Sequence, residues 1–393
     1  LLWESCQQTH LIDCKKESCM NDFQYYTPTK VVFGRGTEEQ AGQLVKEQGG
    51  TRALVHFGGR SARESGLLDR VLASLDRAGV AHVELGGVVP NPRLSKVREG
   101  MELCRREGVD FLLAVGGGSV IDSAKAIALL YSQEVKEENL FSGSYEDCLP
   151  PMAMIPTTAG TGSEVTQYAI LTNDAKETKT SVASDLLFPT VAFLDAGYMK
   201  SLGRATTIHT AVDALSHNVE GMISKRATVI SDALAKEGIR RFRLCLEALL
   251  SWDGQTELPL EVREELLCAS TIGGMVIAHS GTTAVHSMGY ELTYFHGTDH
   301  GRANGLLMAE FLKIAAERMP EKTADILEAL SMNSVEELGE MLKALLGPEP
   351  PLTEEEALRY AAIAVQAKNI KNAPFELTEE EVREIYRKSL VRG

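Results

Sequence analysis

Histidine is scarce in this sequence, yet three of its nine histidines lie together in the stretch AVHSMGYELTYFHGTDHGRANG. These are His286, His296 and His300. A further histidine, His217, follows Asp213 by four residues in AVDALSHNVEG, so both side chains share one face if the segment is helical. Imidazole nitrogens and a carboxylate suit Fe2+ or Zn2+ better than Mg2+ or Ca2+, which prefer oxygen ligands. The pattern indicates a transition-metal site.

Structural explanations compete with this interpretation. A histidine in a helix is commonly bonded to backbone groups, and Asp and His four residues apart often occur by chance. His296 also precedes His300 by four residues, so spacing does not identify which clustered histidines bind a metal. We expect His286 and His300 to project from one helix end and from the turn beyond it.

The stretch AVGGGSVIDSAK indicates a phosphate-binding turn. Its glycines and Ser119 follow an apolar run that predicts a strand, and they precede a helical pattern. At such a junction the free N–H groups and the dipole of the helix attract phosphate, and glycine lets the phosphate approach the backbone. The stretch lacks the GxGxxG pattern, and a helix cap or a close strand crossing also explains a glycine run.

A second stretch, PTTAGTGSEVT, carries more hydroxyl groups than an ordinary turn needs. They belong to Thr157, Thr158, Thr161 and Ser163. A plain polar loop is the alternative, but two such stretches in one half of the chain favour a bound nucleotide.

The first half of the chain alternates short apolar runs with helical patterns, as in KVVFGRG, RALVHFGG and FLLAVGGGSVIDSAKAIALL. This alternation predicts an α/β fold with a parallel sheet, helices on both faces, and ligands at the carboxyl ends of the strands. Beyond about residue 200 helical patterns dominate. We therefore predict a non-domain extension at residues 1–19, a dinucleotide-binding α/β domain at 20–200 and an all-α metal-binding domain at 201–393, with a ligand cleft between the two domains.

The composition disfavours several classes of partner. Among the 393 residues, 55 acidic and 40 basic side chains give a formal net charge of −15, which argues against a broad nucleic-acid surface. No apolar run reaches the roughly 18 residues that a membrane span needs. The seven cysteines follow neither zinc-ribbon nor disulfide-framework spacing, which predicts reduced thiols and a cytoplasmic location. We expect a small-molecule partner, no nucleic acid and no membrane.

Five motifs together resemble the iron-containing (group III) alcohol dehydrogenase family, and in particular its NADP-dependent butanol dehydrogenases. In chain order they are GVVPNP, AVGGGSVIDSAKAIA, IPTTAGTGSEVT, DALSHNVEG, and HSMG followed by HGRANG. The resemblance implies an N-terminal nucleotide-binding domain, a helical domain and a metal in the cleft, Fe2+ with Zn2+ as the alternative. It also places the metal ligands at Asp213, His217, His286 and His300, and it excludes His296.

The same resemblance implies a nicotinamide cofactor. NAD-preferring members carry an Asp after the second strand, where this sequence has Gly59 followed by Arg60 and Ser61. Glycine leaves room for a 2′-phosphate, and Arg or Ser can donate to it, so NADP(H) is favoured over NAD(H); solvent-exposed charges at a helix start are the alternative. The other implied cofactor positions are Asn91, Gly117, Gly118, Ser119, Asp122, Thr157, Thr158, Ser163 and Lys179.

The implied activity is hydride transfer between NAD(P)(H) and small primary alcohols or aldehydes, assisted by a metal. One departure affects the proton relay: many family members have a second histidine where this chain has Tyr290, and a tyrosine hydroxyl ordinarily titrates near pH 10. Enzymes resembling glycerol dehydrogenase or dehydroquinate synthase are alternatives, as is a non-catalytic module that binds nucleotide and metal. We also expect a homo-oligomer.

Overall fold

The computed structural model describes most of the chain after the predicted extension. The extension, residues 1–19, and the predicted cofactor residue Arg60 lie outside the described residues. Those ranges are 22–59, 61–89, 91–135, 139–141, 144–173, 178–348 and 351–391.

The described ranges of the first half contain eight strands, and six of them form one sheet. The strands are β1 (Lys30–Phe33), β2 (Arg52–Phe57), β3 (Ala81–Leu85), β4 (Phe111–Gly116), β5 (Met152–Pro156), β6 (Tyr168–Asn173), β7 (Thr178–Ala183) and β8 (Val191–Leu194). The helices between them are α1 (Ala41–Glu47), α2 (Ser61–Glu64), α3 (Leu67–Ala78), α4 (Leu94–Glu107) and α5 (Gly118–Ser132).

The sheet has the order β1-β8-β5-β4-β2-β3, and all its pairs are parallel. Its strands are apolar on both faces. Leu54 and Leu112 pack with α4 and α5, whereas their neighbours Val55 and Leu113 pack with α1 and α3. Because successive side chains of a strand point to opposite faces, both faces are covered by helices, and the predicted fold class is confirmed.

Two features of the first half position ligands. The chain moves from β2 to β3 on one side and then returns to β4 on the other, so the crevice at the carboxyl ends of β2 and β4 is a topological switch point, where such sheets bind ligands. The sequence patterns did not predict the second feature, an antiparallel hairpin of β6 and β7 that stands apart from the sheet.

The second half is helical, as predicted. The helices are α6 (Arg204–Ile223), α7 (Val229–Ser251), α8 (Leu260–Ser280), α9 (Ala284–His296), α10 (His300–Arg318), α11 (Pro320–Leu330), α12 (Val335–Leu346), α13 (Glu354–Ala364) and α14 (Glu379–Leu390). We expected His300 to lie in the turn beyond a helix end, and this was wrong. A new helix, α10, begins at His300. None of the helices in the described ranges combines the length and apolar character that a bilayer crossing requires.

One polar side chain lies at the centre of the α/β core. His56 in β2 is fully buried, its Nδ1 is 3.0 Å from the Leu85 carbonyl and its Nε2 is 3.0 Å from Ser123 Oγ. A carbonyl can only accept, so Nδ1 carries the proton and Nε2 accepts from the serine hydroxyl. Burial lowers the pKa of His56 to about 4, because the charged imidazolium is poorly solvated there.

We expect this histidine to make folding stability pH-dependent. The unfolded state binds the proton near pH 6.5 and the folded state only near pH 4, so the free energy of unfolding decreases as the pH falls between these values. The loss should approach about 3 kcal/mol. His56→Asn, which does not titrate, should show a shallower decrease in urea unfolding midpoints over this interval. Parallel curves for the two proteins would contradict the assignment.

Candidate functional site

A cavity of about 640 Å³ lies between the α/β half and the helices. One side is formed by the loop after β3, the start of α5 and the hairpin of β6 and β7. The other side is formed by α6, α9 and the start of α10. Eleven predicted site residues line this cavity: Asn91, Gly118, Ser119, Asp122, Ser163, Lys179, Asp213, His217, His286, Tyr290 and His300.

Three predicted metal ligands converge on one point of the cavity. The carboxylate of Asp213 and the ring nitrogens of His286 and His300 provide ligand atoms that all lie within 4.8 Å of one another. Asp213 Oδ1 is 3.9 Å from His286 Nε2 and 3.8 Å from His300 Nε2. Three helices supply these groups, so their convergence depends on packing and not on any single local motif.

Asn304, one turn after His300, shows that this point is rich in hydrogen-bond acceptors. Its amide nitrogen lies 3.1 Å from Asp213 Oδ1, 3.2 Å from His286 Nε2 and 3.4 Å from His300 Nε2. An amide has two hydrogens, too few for these three acceptors. A bound cation would satisfy the surplus lone pairs, and nitrogen ligands with one carboxylate suit Fe2+ or Zn2+. The residues present therefore fit the metal that the sequence implies.

A buried carboxylate fixes the orientation of His286. Glu220 in α6 accepts a very short hydrogen bond from His286 Nδ1, so the proton is on Nδ1 and the Nε2 lone pair faces the cavity. Its other oxygen accepts from Thr283 N at 3.0 Å, Thr283 Oγ1 at 2.6 Å and Val285 N at 2.8 Å. The pKa of Glu220 is lowered, because His286 and these donors outweigh the effect of burial. Carboxylates of this kind orient histidines that bind metals.

His217, the fourth predicted ligand, lies beside the other three and outside their tight group. Its ring stacks on that of His286 with centroids 4.7 Å apart, and its Nδ1 is 3.2 Å from the Gly160 carbonyl. Because a carbonyl only accepts, Nδ1 is protonated and Nε2 is free to bind a metal. Burial lowers the pKa of His217 to about 4. His296, excluded by the family resemblance, instead lies with Nε2 2.9 Å from the Tyr360 hydroxyl.

The glycines after β4 are required by the neighbouring threonines. A Cβ on Gly117 would lie 3.0 Å from Thr158 Oγ1, and one on Gly118 would lie 2.5 Å from Thr161 Cγ2. The two predicted phosphate-binding stretches are therefore in contact. Gly117, Thr157 and Thr158 are not among the cavity-lining residues, but they shape the backbone of those that are.

Asn91 occupies a strained position at the same end of the cavity. Its φ of 61° lies in the left-handed region, which costs energy for any residue other than glycine. Its N–H is 3.3 Å from Ser119 Oγ and its carbonyl accepts from Thr172 Oγ1 at 3.0 Å. Strain held by the surrounding structure is common at ligand-binding sites.

A buried lysine that the sequence patterns did not identify holds the loop that lines this end of the cavity. Lys125 Nζ donates to the carbonyls of Ser163, Thr166 and Tyr168 at 2.6–2.8 Å. Burial lowers its pKa to about 8, although nearby Asp122 opposes the shift. Asp122 accepts from Ser163 Oγ at 2.6 Å, and burial raises the pKa of its carboxyl group. Asp122 is thus tied to the loop and not to its own helical turn.

Lys179 and Tyr290 lie between the nucleotide-binding loops and the metal ligands. Burial lowers the pKa of the half-buried Lys179 to about 8, with Asp213 and Asp122 opposing the shift. Its Nζ is 6.0 Å from the centre of the Tyr290 ring. Burial, with Glu220, also raises the pKa of Tyr290 well above 10, so its hydroxyl stays protonated at neutral pH.

The turn after β2 lies at the topological switch point, and its described residues are not among those that line the cavity. Gly59 is exposed, and a Cβ there would have no neighbour within 4 Å. Ser61, also exposed, begins α2. Arg63, a further candidate donor, is in an ion pair with Glu84 at 2.5 Å.

Sequence patterns did not identify Glu220 and Asn304, although both carried a weak signal. Glu220 is seven residues after Asp213 in DALSHNVEG, and Asn304 is four residues after His300 in HGRANG. These spacings place each residue on the same helix face as a predicted ligand.

We expect Glu220→Gln to weaken metal binding by about ten-fold to a hundred-fold. The donors of Thr283 and Val285 should hold the new carbonyl oxygen, which leaves the amide NH2 facing His286. Nδ1 must then accept and Nε2 becomes protonated, so its lone pair is lost to the metal. Equilibrium dialysis with Zn2+ measures the effect, and Glu340→Gln on the exposed face of α12 is the control. Unchanged affinity in Glu220→Gln would contradict this role.

Comparison with known proteins agrees with the geometry. The sequence model of the family described as "Iron-containing alcohol dehydrogenase" matches residues 28–196. That of "Fe-containing alcohol dehydrogenase family, C-terminal" matches residues 207–390. The two matches together cover most of the chain.

Individual proteins show the same similarity. The chain is 34% identical to a 1,3-propanediol dehydrogenase of Citrobacter freundii over 79% of this chain and 80% of that protein. It is 32% identical to a probable NADH-dependent butanol dehydrogenase 1 of Bacillus subtilis over 81% and 82% of the two chains. A crystal structure of an iron-containing alcohol dehydrogenase from Thermotoga maritima superposes with a TM-score of 0.86 at 35% identity, covering 94% of this chain and 99% of that one. The chain belongs to the iron-containing alcohol dehydrogenase family, whose members are oxidoreductases that act on alcohols and aldehydes.

Proposed function

We propose that this chain interconverts small primary alcohols and aldehydes by hydride transfer with NADP(H), in preference to NAD(H). The observation that carries the proposal is one cavity that is lined both by the proposed nucleotide-binding loops and by the acceptor-rich cluster of Asp213, His286 and His300. The two halves that form it are the proposed nucleotide-binding domain, residues 20–200, and the proposed helical domain, residues 201–393.

The four proposed metal ligands are Asp213, His217, His286 and His300. Fe2+, or Zn2+ as the alternative, would supply Lewis acidity toward the alcohol or carbonyl oxygen when bound there. Glu220 keeps the Nε2 lone pair of His286 available, and the Gly160 carbonyl does the same for His217. The chain thus presents these two histidines in the correct tautomers before any ion arrives, which reduces the reorganisation that binding requires.

The cofactor would lie along the nucleotide-binding side of the cavity. The start of α5 at Gly118 and Ser119 offers free backbone N–H groups to a pyrophosphate. Asn91 and Ser163 offer further polar groups, and Lys179 would donate to the nicotinamide ribose. These residues would hold the cofactor in a fixed position relative to the substrate, which would remove much of the entropic cost of hydride transfer.

Tyr290 positions its neighbours and does not exchange protons in this proposal. Its raised pKa keeps the proton on Oη, which lies near Asn369. Its ring stacks on His300 with centroids 5.3 Å apart and an interplanar angle of 18°. The proton of the reaction would reach the substrate through water or the cofactor ribose.

The preference for NADP(H) rests on the turn after β2. Gly59 leaves open space at the switch point, and Ser61 can donate to a 2′-phosphate. Arg60, outside the described residues, is the basic candidate there, since Arg63 is already paired with Glu84. The Bacillus relative is described as NADH-dependent, so the preference is argued from this chain's own residues. We further propose a cytoplasmic location and a homo-oligomer.

Loss of a metal ligand should abolish metal retention and turnover together. Purified protein loaded with Fe2+ or Zn2+ should oxidise NADPH in the presence of butanal, followed by the nicotinamide absorbance. His286→Ala opens the ligand set, so both bound metal and activity should fall below detection. His296→Ala, on the same helix but beside Tyr360, is the matched control and should keep both. Activity of a metal-free His286→Ala protein would refute the mechanism.

Replacement of Gly59 by Asp should reverse or erase the cofactor preference. The parent should show a higher kcat/KM with NADPH than with NADH, by about one to two decades, since charge-assisted hydrogen bonds contribute about 1.5–3 kcal/mol. The carboxylate of Gly59→Asp repels a 2′-phosphate and accepts from the free ribose hydroxyls of NADH. Gly203→Asp is the control, because that glycine also has open space around its Cβ position. An unchanged cofactor ratio in Gly59→Asp would show that this turn does not contact the ribose.

A further inference from the structure

The cavity contains a second polar region, distinct from the nucleotide-binding loops and the metal ligands. Its members are the cationic side chains of Arg226 and Lys368 together with Thr282, Asn369 and Asn372. Arg226 follows α6, Thr282 precedes α9, and the other three lie in the segment between α13 and α14. We call these five residues the distal cluster.

The hairpin of β6 and β7 shows that the distal cluster lies away from the nucleotide-binding loops. At one end, Thr172 Oγ1 donates to the Asn91 carbonyl at 3.0 Å, and Asn91 in turn contacts Ser119. At the other end, Tyr168 lies near Arg226, whose charge opposes the rise that burial causes in the pKa of Tyr168. Four residues of an extended strand span about 13 Å, so Arg226 is remote from the proposed pyrophosphate position.

A continuous polar wall connects the metal centre to Arg226. The ring of Tyr290 has its centroid 6.4 Å from that of His286, and its hydroxyl lies near Asn369. Asn369 Nδ2 donates to Thr282 Oγ1 at 2.8 Å, and Asn372 Nδ2 donates to the Thr282 carbonyl at 2.9 Å. A substrate bound at the metal would extend along this wall.

Gly281 brings the amide of Asn372 and the guanidinium of Arg226 together at the end of the wall. A Cβ at Gly281 would lie 2.8 Å from Asn372 Nδ2 and 3.8 Å from Arg226 Nη1. Its φ of 66° is also unfavourable for other residues. The chain between Gly281 and His286 spans at most about 18 Å, which bounds the distance from the distal cluster to the metal ligands.

The charges of this end are not neutralised within the described part of the chain. Arg226 and Lys368, both exposed, form no ion pair there, although the chain has a net charge of −15. Asp185, which is exposed, lies near Tyr168 and contributes to raising its pKa, but it forms no ion pair with Arg226. Two cations and two amides thus line the far end of the cavity with donors.

We propose that the distal cluster binds an anionic group at the end of the substrate remote from the reacting carbon. The substrate class is then a short aldehyde, or the corresponding alcohol, that carries a carboxylate or a sulfonate. This inference rests on the proposed alcohol–aldehyde activity and specifies the substrate for the same site. Arg226 would donate to the anion in a forked geometry and Lys368 would add a point charge, while the anionic group itself stays chemically unchanged.

The test compares substrates of matched length. The metal-loaded enzyme is assayed with NADPH and either 4-oxobutanoate, 3-oxopropane-1-sulfonate or neutral butanal. We expect a higher kcat/KM for at least one anionic aldehyde than for butanal, and the two anionic substrates distinguish carboxylate from sulfonate. The double variant Arg226→Gln/Lys368→Gln should lower kcat/KM for the preferred anion by about ten-fold or more, the loss expected for one charge-assisted hydrogen bond.

Butanal serves as the internal control for folding and chemistry, and its kcat/KM should change less than two-fold in the double variant. Arg240→Gln, an exposed arginine of α7, is the matched charge control and should leave all three substrates unchanged. An unchanged ratio of anionic to neutral substrate in the double variant overturns the inference while the butanal activity upholds the proposed function. A metal-loaded parent enzyme that reduces none of the three aldehydes overturns the proposed function itself.

Discussion

The buried ammonium group of Lys125 holds together the parts of the fold that form the cleft. An isolated ammonium is costly to bury, and the cost is offset here by three carbonyl acceptors, two from the loop between β5 and β6 and one from the first residue of β6. That loop is also pressed against α8, since Gly162 and Gly274 are in backbone contact and Glu164 accepts from Thr271 Oγ1 at 3.0 Å. One cation therefore ties α5, which begins at the nucleotide-binding turn, to the helical half.

Glu220 applies the same principle with the opposite charge. Its buried carboxylate is acceptable because five donors surround it, and each of them belongs to the segment that starts α9. Removing one partner of such a network leaves an unsatisfied charge, so the network is stable only as a whole. The start of α9 is thus fixed in one position, and His286 with it. Rigid placement of the proposed metal ligand His286 follows from these buried charges and not from the short-range sequence spacing.

The extent to which the sequence predicted this structure follows from the range of the interactions involved. The sheet and the C-terminal helices were predicted because hydrophobic periodicity is local. A turn at Gly117 and Gly118 was predicted because a strand followed by glycine is also a local signal. Lys125 and its partners are separated by 38–43 residues, and Glu220 and His286 by 66. Patterns within one segment carry no information about such pairs. The β6–β7 hairpin was missed because its strands include polar residues and lack a uniform apolar alternation.

The three histidines that are proposed as metal ligands differ in how firmly the protein holds their rings. His286 and His217 each have Nδ1 bonded to an obligate acceptor, so their tautomers and ring directions are set. His300 has no hydrogen-bond partner for its buried Nδ1 in the described structure, and its ring is supported by the nearly parallel ring of Tyr290. Where many family members carry a histidine, this chain has Tyr290, a larger aromatic ring whose hydroxyl keeps its proton at neutral pH. A histidine at this position could exchange protons near neutral pH, whereas Tyr290 does not. The flat ring of Tyr290 instead orients His300, the proposed ligand whose Nδ1 has no acceptor in the described structure.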